Sequence, residues 1–267
     1  MPSVSEAPAR RFRAVLALLP AVVLALTLSA VAHAKPLEEW LSEGDHHYAA
    51  AHLAEARASY LGAVQTAPGS FVALCRLSQS ESELGTLQKG DEQRMTWAAA
   101  VEHARAAVKA APDSGAAHVW LAVALGRQAL REGSKAKLAL SREIKSETDR
   151  ALQLDPAIGR AWHVLAVWNV KVASLNAIER MAANAVLGGV PKGASWDNAD
   201  RAFQKAIQLE PEYVNHRLEY GRMLRDQKRS ADARRELEKA VSLPPNSSAL
   251  DARYQAEAKE LLAKLAR

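Results

Sequence analysis

Ala151-Leu-Gln-Leu-Asp-Pro156 and Ala206-Ile-Gln-Leu-Glu-Pro211 are two near copies of one ending, with alanine five residues before proline. The same interval recurs at Ala63/Pro68, Ala107/Pro112 and Ala240/Pro245, which makes five copies. Three residues before each alanine stand Tyr60, Ala104, Thr148, Phe203 and Leu237. Four residues earlier again stand Ala56, Ala100, Ile144, Ala199 and Ala233. In the first and last copies a glycine lies twelve residues further upstream, at Gly44 and Gly221. Small residues at these places let two antiparallel helices approach closely. The larger residue between them fills the groove against the next hairpin, and proline stops the second helix. A hairpin of this kind leaves one apolar face uncovered, so the copies must stack.

The prolines are 44, 44, 55 and 34 residues apart. Relative to the shortest interval, ten extra residues at a hairpin tip lengthen each of its helices by about 1.5 turns. Ser114–Leu154 accordingly reads as two long helices broken near Gly133-Ser134. The longest interval contains Leu187-Gly-Gly-Val-Pro-Lys-Gly193, which cannot be continuous helix. A helix is expected to about Val186, then a loop, then a helix from Ser195-Trp196. Beyond Pro245, Leu250, Tyr254, Ala258, Leu261 and Leu265 form one apolar stripe at helical spacing. The expected fold is all-α: a right-handed α-solenoid of about five hairpins over residues 35–245, closed by a C-terminal capping helix over 246–267.

The pattern resembles the tetratricopeptide repeat, in Trp40, Gly44, Ala56, Tyr60, Ala63 and Pro68 of the first copy. It does so again in Trp162, Leu165, Ala199, Phe203, Ala206 and Pro211 of the fourth, and in Tyr220-Gly221, Leu224, Ala233, Leu237, Ala240 and Pro245 of the fifth. Two further segments resemble the regulator of microtubule dynamics family, a branch of these repeat proteins. They are Ala122-Val-Ala-Leu-Gly-Arg127 with Ser141-Arg-Glu-Ile-Lys145, and Val172-Ala-Ser-Leu175 with Glu179-Arg180 and Leu187-Gly-Gly-Val-Pro191. The resemblance implies the repeat fold. Animal members are associated with microtubules and mitochondrial contact sites. A chain exported from the cytoplasm would not meet tubulin, so the fold is carried over and that role is not.

Export is the expectation from the N-terminus. Arg10, Arg11 and Arg13 precede an uncharged run from Ala14 to Val31, and Ala32-His33-Ala34 has the small-x-small form of a cleavage site. That order marks residues 1–34 as a secretory signal peptide, with a periplasmic or secreted product. Uncleaved, the same run would nearly span a bilayer and anchor the chain to a membrane. Composition agrees with a folded helical chain: 49% hydrophobic, 24% charged and only 5% aromatic. One cysteine, Cys75, excludes an internal disulfide framework and a cysteine-built zinc site. The net charge of +5 is too small to argue for nucleic acid, and no aromatic run is interleaved with basic residues.

No motif for cofactor or nucleotide chemistry is present: there is no Gly-x-Gly-x-x-Gly, no Walker loop, no Gly-x-Ser-x-Gly and no His-Glu-x-x-His. Cys75 lies in the apolar run Phe71–Leu77 and reads as core packing. His46, His47 and His52 sit too close in sequence to converge on a metal from one helix face. Glu81 and Glu83, flanked by serines, read as a solvated face, as do Glu257 and Glu260. Trp97, Trp120, Trp168 and Trp196 read as groove filling, with anchoring of a peptide as the other use. No catalytic residue, no cofactor and no metal is assigned.

In the tetratricopeptide family the first helix of each hairpin lines a concave groove. The resemblance puts Arg127 of the third copy, Arg160, His163 and Lys171 of the fourth, and Asn215, Arg222 and Arg225 of the fifth in that groove. Val119, Val167 and Leu218 lie between them. Asp226 is the only carboxylate among these groove positions in the three copies. The expected function is a non-enzymatic scaffold that binds a protein or peptide partner of acidic character. Two other classes remain open. One is a metal-binding or catalytic protein using His46, His47 or His163. The other is a self-association module, which an apolar outer face on 246–267 would indicate. If the signal reading holds, mass spectrometry of the exported protein finds a chain beginning near Lys35; a terminus at Met1 or Pro2 contradicts it.

Overall fold

In four of the five copies the alanine five residues before proline has a structural job in the computed structural model, which describes residues 35–186 and 189–265; in the fifth, Pro244 stands where the donor would be. The alanine carbonyl takes the last hydrogen bond of the helix. Ala67 N–H donates to Ala63 O at 2.9 Å, Ala111 to Ala107 at 2.9 Å, Asp155 to Ala151 at 2.8 Å and Glu210 to Ala206 at 2.9 Å. The donor in each case is the residue before proline, which the pyrrolidine ring pushes out of helical geometry. Serine then restarts the chain: Ser70 and Ser114 accept from Ala73 N–H and Ala117 N–H. The proposed signal segment, residues 1–34, lies outside the described residues.

Twelve helices follow in order among the described residues, and no strand occurs there. They are α1 (Leu37–Ala49), α2 (Leu53–Thr66), α3 (Phe71–Leu87), α4 (Gly90–Ala110), α5 (Gly115–Ala129) and α6 (Ser134–Leu154). Then come α7 (Gly159–Ala173), α8 (Ala177–Val186), α9 (Trp196–Leu209), α10 (Val214–Asp226), α11 (Ser230–Ser242) and α12 (Asp251–Leu265). The pairs α1/α2, α3/α4, α5/α6, α7/α9 and α10/α11 are the five hairpins. All five register alanines are fully buried, as are Ala56, Ala100, Ala199 and Ala233. Tyr60, Thr148, Phe203 and Leu237 are buried between them.

Helix lengths depart from the even lengthening expected at the tips. The second helices α4 and α6 have 21 residues each, against 14 for α2 and α9. The reversals are fixed early, at Lys89-Gly90 and Gly133, so most of the insertion falls after them. The longest interval is accounted for by α8. This helix is tied to the end of α7 by Arg180, which donates to the carbonyls of Val172 and Ala173. Among the described residues it packs on no other helix to the extent the hairpin helices do, and Ile178 and Met181 on it are exposed.

Helix α12 covers the last hairpin, as a cap should, packing on α11 and α10. It also does more than that. Leu250, Tyr254, Ala258 and Leu261 share one core with Val214, Leu218 and Leu237 and with Leu53 of α2, with Tyr48 and Leu84 at its edge. The C-terminal segment therefore shares a core with residues of the first two hairpins as well as the last, and Ser248, just before α12, hydrogen-bonds Glu83 of the second.

Close approach inside the hairpins is testable at two glycines. A methyl group on Gly44 would lie 2.3 Å from Tyr60 Cε1, whereas one on Gly126 would meet nothing within 4 Å. Gly44→Ala is expected to destabilise the protein by about 1–3 kcal/mol through overpacking. Gly126→Ala in the last turn of α5 should stabilise it by up to about 1 kcal/mol through helix propensity. Denaturant melts that show the same sign for both variants contradict the packing register.

Candidate functional site: an ion cluster inside the groove

Gly159 opens α7, and the absence of a side chain there admits the carboxylate of Glu210; an added methyl would come within 2.7–2.9 Å of it. Glu210 Oε1 accepts from Arg160 N–H at 3.0 Å and so caps α7 from the C-terminal end of α9, its partner in the same hairpin. Its other oxygen lies 3.6 Å from Arg160 Nε. The Arg160 guanidinium stacks on Tyr213, 4.3 Å from the ring centroid, and stands 5.5 Å from that of Trp120. Its Nη2 donates to the carbonyl of Ser247 at 3.1 Å. Arg160, Glu210, Pro211, Glu212, Tyr213 and Ser247 line a pocket of about 380 Å³.

Behind Arg160 lies Glu83, from α3. Tyr48 Oη donates to it, at 2.8 and 3.0 Å from its two oxygens, and Ser248 Oγ is 3.3 Å away. Burial pushes the Glu83 carboxyl up; Arg160, the Tyr48 hydrogen bond and Arg127 pull against it. Arg127 Nη2 reaches Tyr254 Oη at 3.4 Å. Burial lowers the pKa of both arginines, but the surrounding tyrosines and Glu83 outweigh it and both end raised. Asp251 is fully buried, and its Oδ2 accepts from the N–H groups of Ser247 and Ser248, both at 2.8 Å.

His163 and His216 form a pair beside these charges, with their Nδ1 atoms 3.0 Å apart. The His163 ring packs on Phe203 and Tyr213. Burial, then His216, Arg127 and Arg160, hold His163 well below the ordinary histidine range. Burial lowers His216 too, against the pull of Glu210. Glu210 Oε2 lies 3.5 Å from His216 Nε2, an electrostatic contact without hydrogen-bond geometry. The carboxylate thus faces the ring edge away from His163, so the three groups do not converge on one point. No group of three metal-ligating side chains occurs among the described residues.

The groove positions expected from the sequence separate into three kinds. Arg127, Arg160 and His163 come together, with Asn215 on the helix facing them. Arg222 lies further along α10, paired with Glu219 and with Glu257 of α12. Lys171 is exposed and Arg225 is paired with Asp226, so neither joins the cluster. The expectation of a groove nearly free of carboxylate is corrected: Glu83, Glu210 and Asp251 stand among its cations. Glu81 and Glu83 are not a solvated face either, being 0% and 4% exposed. Glu81 is held by Arg57 Nε at 3.0 Å and His103 Nδ1 at 2.7 Å. The overlooked signal is the small-residue surround of α3. Ser78, Ser80, Ser82 and Gly85 are all buried, which happens when neighbours press on a helix from every side.

These features define a class: a helical-repeat protein whose inner surface carries a shaped polar cluster. The chain belongs to the regulator of microtubule dynamics protein 1-3 family, whose sequence profile it matches over residues 40–266. It is 29% identical to regulator of microtubule dynamics protein 3 of Rattus norvegicus over 190 residues, 70% of this chain and 40% of that protein. It is 30% identical to protein 1 of Caenorhabditis elegans over 191 residues, 72% of this chain and 84% of that one. The chain thus spans less than half of the rat relative. Among solved structures, a tetratricopeptide-repeat protein of Thermus thermophilus superposes with a TM-score of 0.60 at 17% identity, covering 83% of this chain and 98% of that one. That likeness supports the repeat fold.

The histidine pair predicts a pH dependence. Both imidazoles have folded pKa values below the ordinary 6.5, so unfolding takes up protons. Their contribution to stability is whole above about pH 6.5 and is lost as pH falls through the folded values. Thermal melts between pH 7 and 5 should therefore fall more steeply for wild type than for His163→Gln. Parallel curves would show that the pair is not buried in its neutral form.

Proposed function

We propose that the chain is a non-enzymatic scaffold that binds a protein or peptide partner of acidic character at the Arg160 end of its groove, in an exported compartment. The repeat fold and the family support an interaction role. The observation that carries the finer reading is the pocket of about 380 Å³ beside Arg160. There a guanidinium is held flat on Tyr213, with one edge toward the Ser247 carbonyl and the pocket wall. A pre-oriented arginine of this kind favours carboxylates, because less side-chain freedom is lost on binding. Export is supported by the order of charge, apolar run and small residues in 10–34. The microtubule role in the names of the animal relatives is left with those proteins, since an exported chain would be apart from tubulin.

The test is a fluorescence titration of the full chain with an acidic peptide and its charge-reversed counterpart. Wild type should prefer the acidic peptide, and Arg160→Lys, which keeps the charge beside Glu83 and Glu210 but loses the planar stack on Tyr213, should weaken it at least about tenfold with the helical CD spectrum retained. Glu212→Arg, an exposed change at the pocket rim, should strengthen it. Equal binding of both peptides, or indifference to both substitutions, overturns the reading.

A further inference from the structure

Each arginine placed in the groove's interior is engaged by one stretch of this same chain. Arg160 donates to the Ser247 carbonyl, Arg127 to Tyr254 Oη and Arg222 to Glu257. Glu83, the carboxylate in the same cluster, meets Ser248. The apolar side of the stretch seats Tyr254, Ala258 and Leu261 against Val214 and Leu218 of α10. Ser247–Leu265 therefore touches the groove as a bound peptide would: a carbonyl on one arginine, a phenol on the second, a carboxylate on the third and an apolar stripe between.

Two observations separate this stretch from the hairpins that hold it. It carries no alanine–proline register, and it is joined to α11 through Leu243-Pro-Pro-Asn-Ser-Ser248 instead of a tight helix reversal. Its seat is also incompletely satisfied. Asp251 Oδ1 of the stretch itself, and Asn215 Oδ1 on α10, are buried without a hydrogen-bond partner. Burying Asp251 Oδ1 in this way carries a desolvation cost that release of the stretch into water would remove. The pocket at Arg160 and Ser247 lies at the N-terminal end of the stretch, where a competitor has room to begin.

We propose that Ser247–Leu265 is an exchangeable internal ligand of the groove, and that the partner taking its place is an amphipathic helix of the same chemistry. That helix presents a tyrosine, a carboxylate three residues later and a small or apolar residue next to it and again three further on, as Tyr254, Glu257, Ala258 and Leu261 do. Helix-in-groove recognition of this type reads anchors at three- and four-residue intervals. The inference rests on the groove being the binding surface, and it adds what covers that surface before the partner arrives.

A labelled peptide with the sequence of residues 247–265 tests it against the full chain. Glu257 is partly exposed, and Glu257→Arg sets an arginine against Arg222, loosening the internal helix without emptying the core. The peptide should bind the E257R chain at least about tenfold more tightly than wild type, whose own helix competes. A peptide carrying the same substitution should fail on E257R. The chain with both R222E and E257R, in which the pair is restored with charges exchanged, should exclude the wild-type peptide again. Equal binding to wild type and E257R, or binding to neither, overturns the proposal. Acidic-peptide capture at Arg160 is read separately: if it holds while peptide 247–265 never binds, the groove reading stands and the exchange falls.

Discussion

A guanidinium drawn out of bulk water must be met on every side, and Arg160 is the side chain on which distant parts of this chain converge to do so. Tyr213 and Glu210 come from the turn before α10, Trp120 from α5 and the Ser247 carbonyl from the strap after α11. Glu83 of α3 adds its charge from behind. Removing a partner from such a cluster leaves a charge poorly compensated at low dielectric, which costs far more than the pair contributes in water. The cluster therefore fixes how the second, third, fourth and fifth hairpins and the C-terminal segment sit on one another. A plain solenoid, with only nearest-neighbour contacts, lacks such a tie.

Chain connectivity explains why the tie forms at these residues. Gly159 at the head of α7 leaves the space into which Glu210 reaches, so a helix cap becomes half of an ion pair. Tyr48 and Tyr213 each bring an apolar ring with a hydroxyl, covering charge with carbon while leaving a polar tip. The neutral histidine pair fits the same logic, since an imidazolium beside Arg127 and Arg160 would add like charge where water cannot screen it.

The fold was legible because it repeats. Alanine at a fixed distance from proline is a local rule, and each copy shows it without reference to the others. The irregular copies were legible too, since Gly133 and the glycines and proline of Gly189–Gly193 interrupt helix by chemistry alone. Half of the site was legible through the resemblance: Arg127, Arg160 and His163 occupy the first-helix positions that line the groove in the tetratricopeptide family. Glu83 and Glu210 were not. Glu83 meets Ser248 across 165 residues of sequence, and a carboxylate between serines gives no hint of which distant segment will cover it. Helix α12 was found, and its inner stripe with it, but periodicity says which face is buried and not what buries it.

Closure of the C-terminal helix across the groove onto the third hairpin is the central claim, and a double-mutant cycle between Arg127 of α5 and Tyr254 of α12 tests it most directly. The two residues are 127 positions apart in sequence and in contact through Nη2 and Oη. Stability would be measured by denaturant unfolding for wild type, Arg127→Gln, Tyr254→Phe and the double variant. Contact predicts a coupling energy of at least about 0.5 kcal/mol. Strict additivity, within about 0.3 kcal/mol, would place α12 away from the groove and contradict the account.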